Sequence, residues 1–362
     1  MIKRTLCWKI KWLCLFSLLL TLSAGHRLHT CAADTASLLC EQSALYSYES
    51  MEHDIHTLII KYPSLLHGDS LGKTPDGRYL YHLVIGNENA EKQILLFASI
   101  HAREYITTPL LMRQTAALLQ NLSDQTASYR GCSYQDLMKN IAIHIVPMIN
   151  PDGVSISQFG MDGIRSATVR QEIYKIYELD QAVEIGSYLR TWKSNAQGVD
   201  LNRNFDAMWD SYNDHLGHPS SDHYKGTSPA STEEAKRLIK LTEQYPFKRT
   251  VSYHTQGEVI YWYFAQTGDL LNESKAFAES ASAVTGYPLD ADYTKLDPAG
   301  YKDWAIQKKN IPSLTIEVGR GTNPLEMSQL PAIYEQNKNV IGEILYGLRE
   351  ELDIKRLNPN ML

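Results

Sequence analysis

Short apolar runs alternate with amphipathic stretches along most of this chain. Residues 93–100 and 141–149 are nearly continuous apolar runs, as expected of strands that are buried on both faces. Residues 79–85 alternate and are rich in strand-forming side chains. Because helical stretches separate these runs, the pattern predicts an α/β fold, with a mixed, largely parallel twisted sheet and helices on both faces.

Four stretches have the pattern of helices. Residues 45–65 predict a first helix that ends before Pro63, and residues 107–109 (TTP) predict a helix start with a hydroxyl cap and a proline in the first turn. Residues 155–192 are polar and helical in pattern, which indicates an insertion at the rim of the fold. Residues 333–352 predict a closing amphipathic helix.

The chain begins with a segment typical of secretory signal peptides. Its first twelve residues are basic, and residues 13–22 form an apolar run too short to span a bilayer comfortably. We expect residues 1–33 to be removed, with cleavage after about residue 25 or 33; an uncleaved membrane anchor is the alternative. Residues 34–362 would then form a single catalytic domain, secreted or in the cell envelope and without stable membrane insertion.

Charge and cysteine content argue against a nucleic-acid partner and against a zinc site built from cysteines. The chain has a net charge of −6, and the leader carries five basic and no acidic residues, so its removal leaves −11. A body this acidic argues against nucleic acid as a partner. Of five cysteines, only Cys31, Cys40 and Cys132 lie beyond the apolar run, and none has CxxC spacing. At most one disulfide is expected, and zinc ligation by thiolates is not.

A histidine and a glutamate three residues apart are the first candidate metal ligands. His101 and Glu104 follow the run at 93–100, and His254 supplies a second imidazole. Two histidines and one carboxylate leave a position open for water, which is the arrangement of a catalytic zinc site. The HxxE spacing alone is weak, since Glu104 could instead pair with Arg103 or Arg113.

Five motifs in fixed order make the zinc interpretation specific. With them, the chain resembles the zinc metallocarboxypeptidases of the carboxypeptidase A-like fold over about residues 45–350. Within that family, two further short strings make it most similar to bacterial γ-D-glutamyl-L-diamino acid peptidases. The five motifs are HARE at 101–104, VPMINPDG at 146–153, GVDLNRNF at 198–205, SYH at 252–254 and SLTIE at 313–317, and the two further strings are WKSN at 192–195 and GYKDW at 300–304.

The resemblance implies a role for each matched residue. His101, Glu104 and His254 would bind one Zn²⁺ ion. Glu317 would deprotonate the attacking water and then protonate the leaving amine; its apolar neighbours predict burial, and a buried carboxylate needs a task or a partner. Asn202 and Arg203 would bind the terminal carboxylate of the substrate, because a planar guanidinium can form two hydrogen bonds to a carboxylate.

Two positions depart from the family pattern. The family often has Trp-Arg where this chain has Trp-Lys at residues 192 and 193, and the family arginine stabilises the oxyanion. Here either Lys193 or Arg190 would take that role. The tyrosine that covers substrate is best matched by Tyr293, although its spacing differs by about two residues; Tyr287 and Tyr301 are alternatives. The aromatic residues 261–264 are more simply explained as core than as pocket.

Lys302 gives the substrate hypothesis. In the family the matching position lies at the base of the side-chain pocket, where a cation would reject basic side chains and accept a carboxylate. We therefore expect a monomeric enzyme that cuts the γ-D-glutamyl bond before diaminopimelate in muropeptides. A general secreted carboxypeptidase, a zinc amidoacylase and an inactive binding module are the alternatives. No activation domain is expected, because the first helix begins near residue 45.

Overall fold

The computed structural model describes Leu39 and residues 45–357, which fold around a seven-stranded mixed sheet. A separate two-stranded hairpin lies between the second and third helices. The strands in this part of the chain are β1 (Leu66–Lys73), β2 (Tyr79–Gly86), β3 (Lys92–Ala98), β4 (Ser128–Tyr129), β5 (Cys132–Ser133), β6 (Ile141–Val146), β7 (Phe247–His254), β8 (Val259–Tyr261) and β9 (Ser313–Glu317).

The centre of the large sheet is parallel and its edges are antiparallel. Strand order is β1-β2-β6-β3-β7-β9-β8. Strands β6, β3, β7 and β9 run in one direction, and β2 and β8 run against their neighbours. The α/β class and the mixed, largely parallel sheet predicted from the sequence are thus confirmed.

Helices connect the strands and cover the sheet. The described helices are α1 (Tyr48–Lys61), α2 (Thr107–Ser123), α3 (Tyr134–Leu137), α4 (Pro151–Phe159), α5 (Ala167–Leu179), α6 (Ile185–Arg190), α7 (Glu233–Gln244), α8 (Gly268–Thr285), α9 (Tyr301–Lys309), α10 (Leu330–Asn337) and α11 (Val340–Leu357).

Strand β3 shows that both faces of the sheet are covered. Its side chains alternate between two hydrophobic cores: Ile94 and Leu96 belong to the larger core, whereas Leu95 and Phe97 belong to the smaller one. All four are completely buried. Burial of an aliphatic or aromatic side chain is worth roughly 1.5–3 kcal/mol, so the apolar run of β3 stabilises both layers at once.

Most predicted helices are present, with two corrections. Helix α1 ends before Pro63 as expected, and Ser47 caps its start. The predicted hydroxyl cap of α2 is wrong, because the Thr107 hydroxyl donates to the carbonyl of Glu104 instead. The single helix predicted over 333–352 is divided, since α10 ends at Asn337 and α11 begins at Val340.

One predicted strand is shorter than expected, and another strand was not predicted. The strand predicted over 141–149 stops at Val146, and the next residues lead into α4, where the Asn150 side chain accepts the Gly153 N–H at 3.0 Å. Strand β1 was missed, because its polar sequence LHGDSLGK leaves only its first residue buried and gives little alternation. An edge strand paired on one side has little need of an apolar pattern.

Several predictions fall outside the described residues. The leader at 1–33, Cys31 and Cys40 are among them. Cys132 is a half-buried free thiol. Within the described part of the chain, no helix combines the length and apolar character that crossing a membrane requires.

Candidate active site

The first two predicted ligands lie on a tight turn after β3. Ser99 adopts a left-handed conformation (φ 49°), and residues Ala102–Glu104 form one turn of 3₁₀ helix. The Thr107 hydroxyl accepts the Ser99 N–H at 3.0 Å and donates to the Glu104 carbonyl at 2.7 Å. These bonds fix the turn, so that His101 and Glu104 point to the same place.

The other two residues end the adjacent strands. His254 is the last residue of β7, Glu317 is the last residue of β9, and the two are direct partners in the parallel register. The carboxyl ends of parallel strands meet at one edge of a sheet, which is where ligands bind in α/β folds. The fold thus collects side chains that are more than 200 residues apart in sequence.

The three predicted zinc ligands converge in the structure. His101 Nδ1 lies 2.8 Å from Glu104 Oε1, His254 Nδ1 lies 3.1 Å from Glu104 Oε2, and the two Nδ1 atoms are 3.2 Å apart. All three residues are buried. The alternative partners Arg103 and Arg113 are wrong, because Glu104 faces the histidines.

This arrangement fits a cation. His101 Nε2 lies 3.3 Å from Asp200 Oδ1, and a proton shared there leaves the Nδ1 lone pair facing the Glu104 carboxylate. Two electron-rich groups at 2.8 Å repel each other unless a proton or a metal ion lies between them. His and Glu donors are also those that zinc prefers. Residues His101, Glu104 and His254 therefore match the donor set that the family motifs predict.

The pKa values follow from this crowding of charges. Burial lowers the pKa of His101, but the Glu104 and Asp200 carboxylates outweigh burial and raise it above its usual value. Burial alone would raise the pKa of Glu104, yet the two histidines hold it well below its usual range. Glu104 therefore stays ionised, which makes its carboxylate available to a cation that lies between it and the histidines.

Glu317 has the opposite environment. It is half-buried at the wall of the cleft beside Glu104, and desolvation together with the Glu104 charge raises the pKa of Glu317 well above its usual value, with Lys193 opposing the shift. Its Oε2 atom is buried without a hydrogen-bond partner among the described residues. A carboxyl group held in this way is suited to take up and release a proton.

The two candidate oxyanion cations differ in position. Lys193 lines the cleft, and its Nζ atom lies 2.8 Å from Asp200 and 2.9 Å from Asp222. Burial lowers the pKa of Lys193, but those carboxylates raise it further, so it stays protonated. Arg190 is 65% exposed, pairs with Glu326 at 3.6 Å and does not line the cleft. The structure brings Lys193 to the site and leaves Arg190 outside.

Asn202 and Arg203 lie on one side of the same cleft. A short 3₁₀ turn (Leu201–Arg203) follows Asp200, whose side chain accepts the Asn202 N–H at 3.1 Å. Asn202 Oδ1 accepts the Tyr301 N–H at 3.0 Å, which fixes the plane of its amide. The Arg203 guanidinium packs 4.9 Å from the Tyr212 ring, and its side chain is 11% exposed.

Lys302 lines the cleft, which has a volume of about 640 Å³. Its Nζ atom contacts the Asp303 carboxylate and donates to the carbonyl of Tyr263 at 3.1 Å. Lys302 thus stands at the wall of the cleft, and its role in substrate selection stays a prediction. Its charge is matched by a buried carboxylate, which the sequence did not indicate.

The candidate cover tyrosine stands at the rim. Tyr293 is 46% exposed and its ring packs 4.9 Å from that of Tyr263. The alternatives Tyr287 and Tyr301 are core residues that are almost completely buried. The stretch at 261–264 alternates: Trp262 and Phe264 are buried, as predicted, whereas Tyr261 and Tyr263 line the cleft.

Several residues in or beside the cleft were not predicted as site residues. Arg103 lines the cleft and pairs with Asp222 at 3.0 Å. Asp200 contacts His101, and its place inside the GVDLNRNF motif was the available signal. Tyr261 lies near Glu317, and Asp297 forms an ion pair with Arg203 at 2.7 Å. No sequence motif marks Tyr261 or Asp297.

Comparison with known proteins defines the class. A model of the zinc carboxypeptidase family (peptidase M14) matches residues 51–340, most of the chain, and the chain therefore belongs to this family. Together with the converging His, Glu and His side chains, this makes the protein a zinc metallopeptidase that uses one zinc ion.

Individual relatives narrow the likeness. The chain is 35% identical over 305 residues to γ-D-glutamyl-L-diamino acid endopeptidase 1 of Lysinibacillus sphaericus, and the matched region covers 84% of this chain and 72% of the relative. It is 25% identical over 291 residues to carboxypeptidase B of Astacus astacus, covering 76% of this chain and 86% of the relative.

Solved structures agree on the fold. Thrombin-activatable fibrinolysis inhibitor superposes with a TM-score of 0.63 at 18% identity, over 83% of this chain and 73% of that chain. Carboxypeptidase A of Helicoverpa armigera gives 0.61 at 16% identity, over 85% and 78%. At these identities the likeness concerns the carboxypeptidase A-like fold.

Proposed function

We propose that this zinc peptidase hydrolyses the γ-D-glutamyl bond that precedes a diamino acid, such as diaminopimelate, in cell-wall stem peptides. The observation that carries the proposal is that Arg203 and Lys302 both line the cleft that holds the histidine and glutamate ligands. A peptide ending in diaminopimelate has two carboxylates to offer them. The 35% identical relative is named for the same bond type.

The pairing of Lys302 with Asp303 supports a zwitterionic side chain. Both residues line the cleft, and together they present a cation and an anion. The far end of diaminopimelate carries a carboxylate and an ammonium on one carbon, and this pair of charges complements the Lys302–Asp303 pair. A substrate ending in lysine offers only the ammonium, and one ending in phenylalanine offers neither.

The residues divide the chemical step among them. His101, Glu104 and His254 would hold zinc, which when bound polarises the scissile carbonyl and lowers the pKa of water. Glu317 takes the proton from the attacking water and delivers it to the leaving amine. The pKa of Glu317 is raised because the carboxyl group is desolvated and lies beside the Glu104 charge, so Glu317 holds a proton more readily than a free carboxyl group does before passing it to the leaving amine.

Positioning falls to three other side chains. Asn202 and Arg203 bind the main-chain carboxylate of the substrate, and Lys193 provides positive charge for the oxyanion. Asp200 and Asp222 hold the Lys193 ammonium in place. Asp200 also fixes the His101 ring. A single buried aspartate thereby aligns a metal ligand and a catalytic cation.

A general carboxypeptidase is the second candidate function. Carboxypeptidase B is among the similar proteins, and Asp303 neutralises much of the charge that Lys302 would present to a substrate. In that case the cleft would accept ordinary C-terminal residues. The two candidates differ in whether Lys302 selects the substrate.

We also propose that the enzyme acts as a monomer in the cell envelope or outside the cell. The leader predicted from the first 33 residues and the cell-wall substrate support this location. Fractionation of the host cell, and light scattering of the purified protein, would test location and assembly.

Substrate turnover tests the proposal directly. The zinc-loaded enzyme is incubated with γ-D-glutamyl-diaminopimelate, γ-D-glutamyl-lysine and peptides ending in Phe or Arg, and the products are identified by mass spectrometry. We expect the diaminopimelate substrate to be cut fastest. Lys302→Ala should weaken kcat/KM for it more than tenfold relative to the lysine substrate, whereas Lys295→Ala, a lysine of the same cleft, should not. Equal losses, or faster cleavage of Phe or Arg peptides, would favour the general carboxypeptidase.

The role of Glu317 is separable from metal binding. Glu317→Gln should retain zinc and lose about 10²–10⁴-fold in rate, the usual contribution of a general base. His101→Ala and His254→Ala should lose zinc, which metal analysis of the purified variants measures. Near wild-type activity of Glu317→Gln would contradict the mechanism, and absence of zinc and turnover in the native protein would favour an inactive binding module.

A further inference from the structure

The segment of residues 291–298 crosses the substrate side of the cleft. Its ends are fixed to the body: the Asp290 N–H donates to the Ile260 carbonyl and the Ala299 N–H to the Ala207 carbonyl, both at 2.9 Å. Between these points, the backbone N–H bonds of the described structure stay within the segment, to Ala291 and to the Asp292 side chain. The segment is therefore held down mainly by its side chains.

Three side chains make those contacts. Tyr293 packs on the ring of Tyr263, Leu296 packs against the smaller core, and Asp297 pairs with Arg203. The Asp297 contact is the polar one: Arg203 Nη2 donates to its Oδ2 atom at 2.7 Å, while the Asp297 side chain stays 67% exposed. Both this carboxylate and the Arg203 side chain line the cleft.

A carboxylate on Arg203 is also what the proposed function requires of the substrate. The other donors of Arg203 are committed or enclosed, because its Nη1 atom donates to the Asn202 carbonyl at 2.9 Å and its Nε atom is buried without a hydrogen-bond partner among the described residues. The Tyr212 ring packs 4.9 Å from the guanidinium. An incoming carboxylate and Asp297 compete for the same donor. Two carboxylates on one guanidinium would also repel each other.

We propose that Asp297 is an internal stand-in for the substrate carboxylate, which must be displaced when the C-terminal carboxylate of a peptide binds. Asp297 is then a specificity-determining residue, and residues 291–298 form a strap that the ligand releases from Arg203. This inference rests on the proposed role of Arg203 in the proposed function. It adds that a ligand without a free carboxylate cannot release the strap.

The Asp297 side of the ion pair is exposed to solvent, and this sets the size of the effect. Ion pairs at such positions contribute about 0.2–1 kcal/mol. Removing the competitor should therefore tighten binding of a carboxylate ligand by roughly 1.4- to 5-fold, since 1.4 kcal/mol corresponds to a factor of ten. Binding of a ligand that cannot engage Arg203 should not change.

Calorimetry on matched ligand pairs tests this. Zinc-loaded Glu317→Gln protein, which should bind without turnover, is titrated with γ-D-glutamyl-diaminopimelate and with the same compound amidated at the main-chain carboxylate. N-acetyl-L-phenylalanine and its amide form a second pair that does not depend on the diamino acid hypothesis. The same titrations are repeated with Asp297→Asn, Asp290→Asn and Arg203→Ala added, and thermal unfolding confirms that each variant is folded. Asp290 lines the same cleft, so its variant removes the same charge from a position where the structure shows no contact with Arg203.

The expected result is tighter binding of the carboxylate member of a pair by Asp297→Asn alone, with the amide unchanged. Unchanged or weaker carboxylate binding by Asp297→Asn would overturn the proposal. Equal tightening by Asp290→Asn, or of the amide, would also overturn it, because the effect would then be one of overall charge. If Arg203→Ala binds the carboxylate ligands as well as its parent does, Arg203 does not bind the substrate carboxylate. The proposed function of Arg203 is then wrong, and so is the proposed release of the strap. Weak binding of the diaminopimelate pair alone, with the phenylalanine pair behaving as expected, would remove the substrate class and leave the strap intact.

Discussion

Glu234 is a buried carboxyl group outside the catalytic trio. It lies in the first turn of α7 and is completely buried. Asn195 Nδ2 donates to its Oε2 atom at 3.1 Å, and Asn195 Oδ1 accepts the Gln197 and Val199 N–H groups. Glu234 therefore supports the turn that precedes Asp200, which contacts His101, and the Asn202–Arg203 pair.

The burial of Glu234 predicts a pH effect on stability. Desolvation, opposed by its own backbone N–H and reinforced by Asp152, raises the pKa of Glu234 to about 7 from 4.5. Between these values the folded protein binds more protons than the unfolded chain, so stability falls as pH rises through the window. Glu234→Gln should stabilise the protein at pH 8 by on the order of 2–3 kcal/mol and change little at pH 4.5.

Urea unfolding of wild type and Glu234→Gln at several pH values measures this difference. Glu233→Gln is a matched control, because Glu233 is adjacent but solvent-exposed, so desolvation does not hold it in the neutral form. A gain that is the same at pH 5 and pH 8 would mean that Glu234 is ionised throughout, and the argument would be wrong.

The sequence predicted most of the site residues that lie in motifs, with Asp200 as an exception, and missed those without one. His101, Glu104, His254 and Glu317 lie in short strings whose residue types fit one chemistry, and the fold brings them together. Asp297 lies in an irregular segment with no periodicity, so nothing in the sequence ties it to a partner 94 positions away. Lys193 and Arg190 were equally plausible in sequence; only the geometry separates them.

At the scale of elements, the turn before Asp200 depends on a glycine. Gly198 has φ +71°, and a Cβ atom there would lie 2.8 Å from Ile176 Cδ1 and 2.9 Å from Pro219 Cβ. Its N–H donates to Asn195 and its carbonyl accepts from Ser220. The turn therefore needs both the left-handed conformation and the empty space.

Gly198→Ala should destabilise the protein and impair the cleft together. Strain at positive φ costs roughly 1–2 kcal/mol, and the close contacts add about 1–3 kcal/mol. Gly217→Ala is the control, because Gly217 has φ +69° and no atom within 4 Å of the added Cβ, so it carries the strain without the clash. Denaturant unfolding and kcat/KM are measured for both. Equal losses would show that packing at Gly198 is unimportant and that conformation alone matters.

Elements with strong patterns were predicted well, and elements without them were not. The fully buried strands β3 and β6 were visible as apolar runs, whereas β1 is a polar edge strand. The division between α10 and α11 was missed because neither proline nor glycine lies in the polar run EQNKN at residues 335–339, where the apolar positions are interrupted. Tertiary packing, which the local sequence does not encode, decides such boundaries.

At the scale of the whole molecule, metal binding and folding should be coupled. The ligands come from the turn after β3 and the end of β7, and Asp200 holds His101 from a third segment. In the unfolded chain these groups are far apart, so zinc binds the folded state almost exclusively. A ligand present at a thousand times its Kd then stabilises by about 4 kcal/mol.

Removing zinc should therefore lower the melting temperature. For a chain of this size, about 4 kcal/mol corresponds to roughly 5–10 °C. Calorimetric melting is measured with zinc, after chelation and after zinc is restored. Glu317→Gln should keep the full zinc-dependent shift, because Glu317 is not a ligand, whereas His254→Ala should lose it. His82→Ala is the control for loss of a buried imidazole, since His82 pairs with His144 away from the cleft and should retain the shift. A zinc-dependent shift that survives in His254→Ala would mean that zinc stabilises the fold from another site, and the assignment of His254 as a ligand would be wrong.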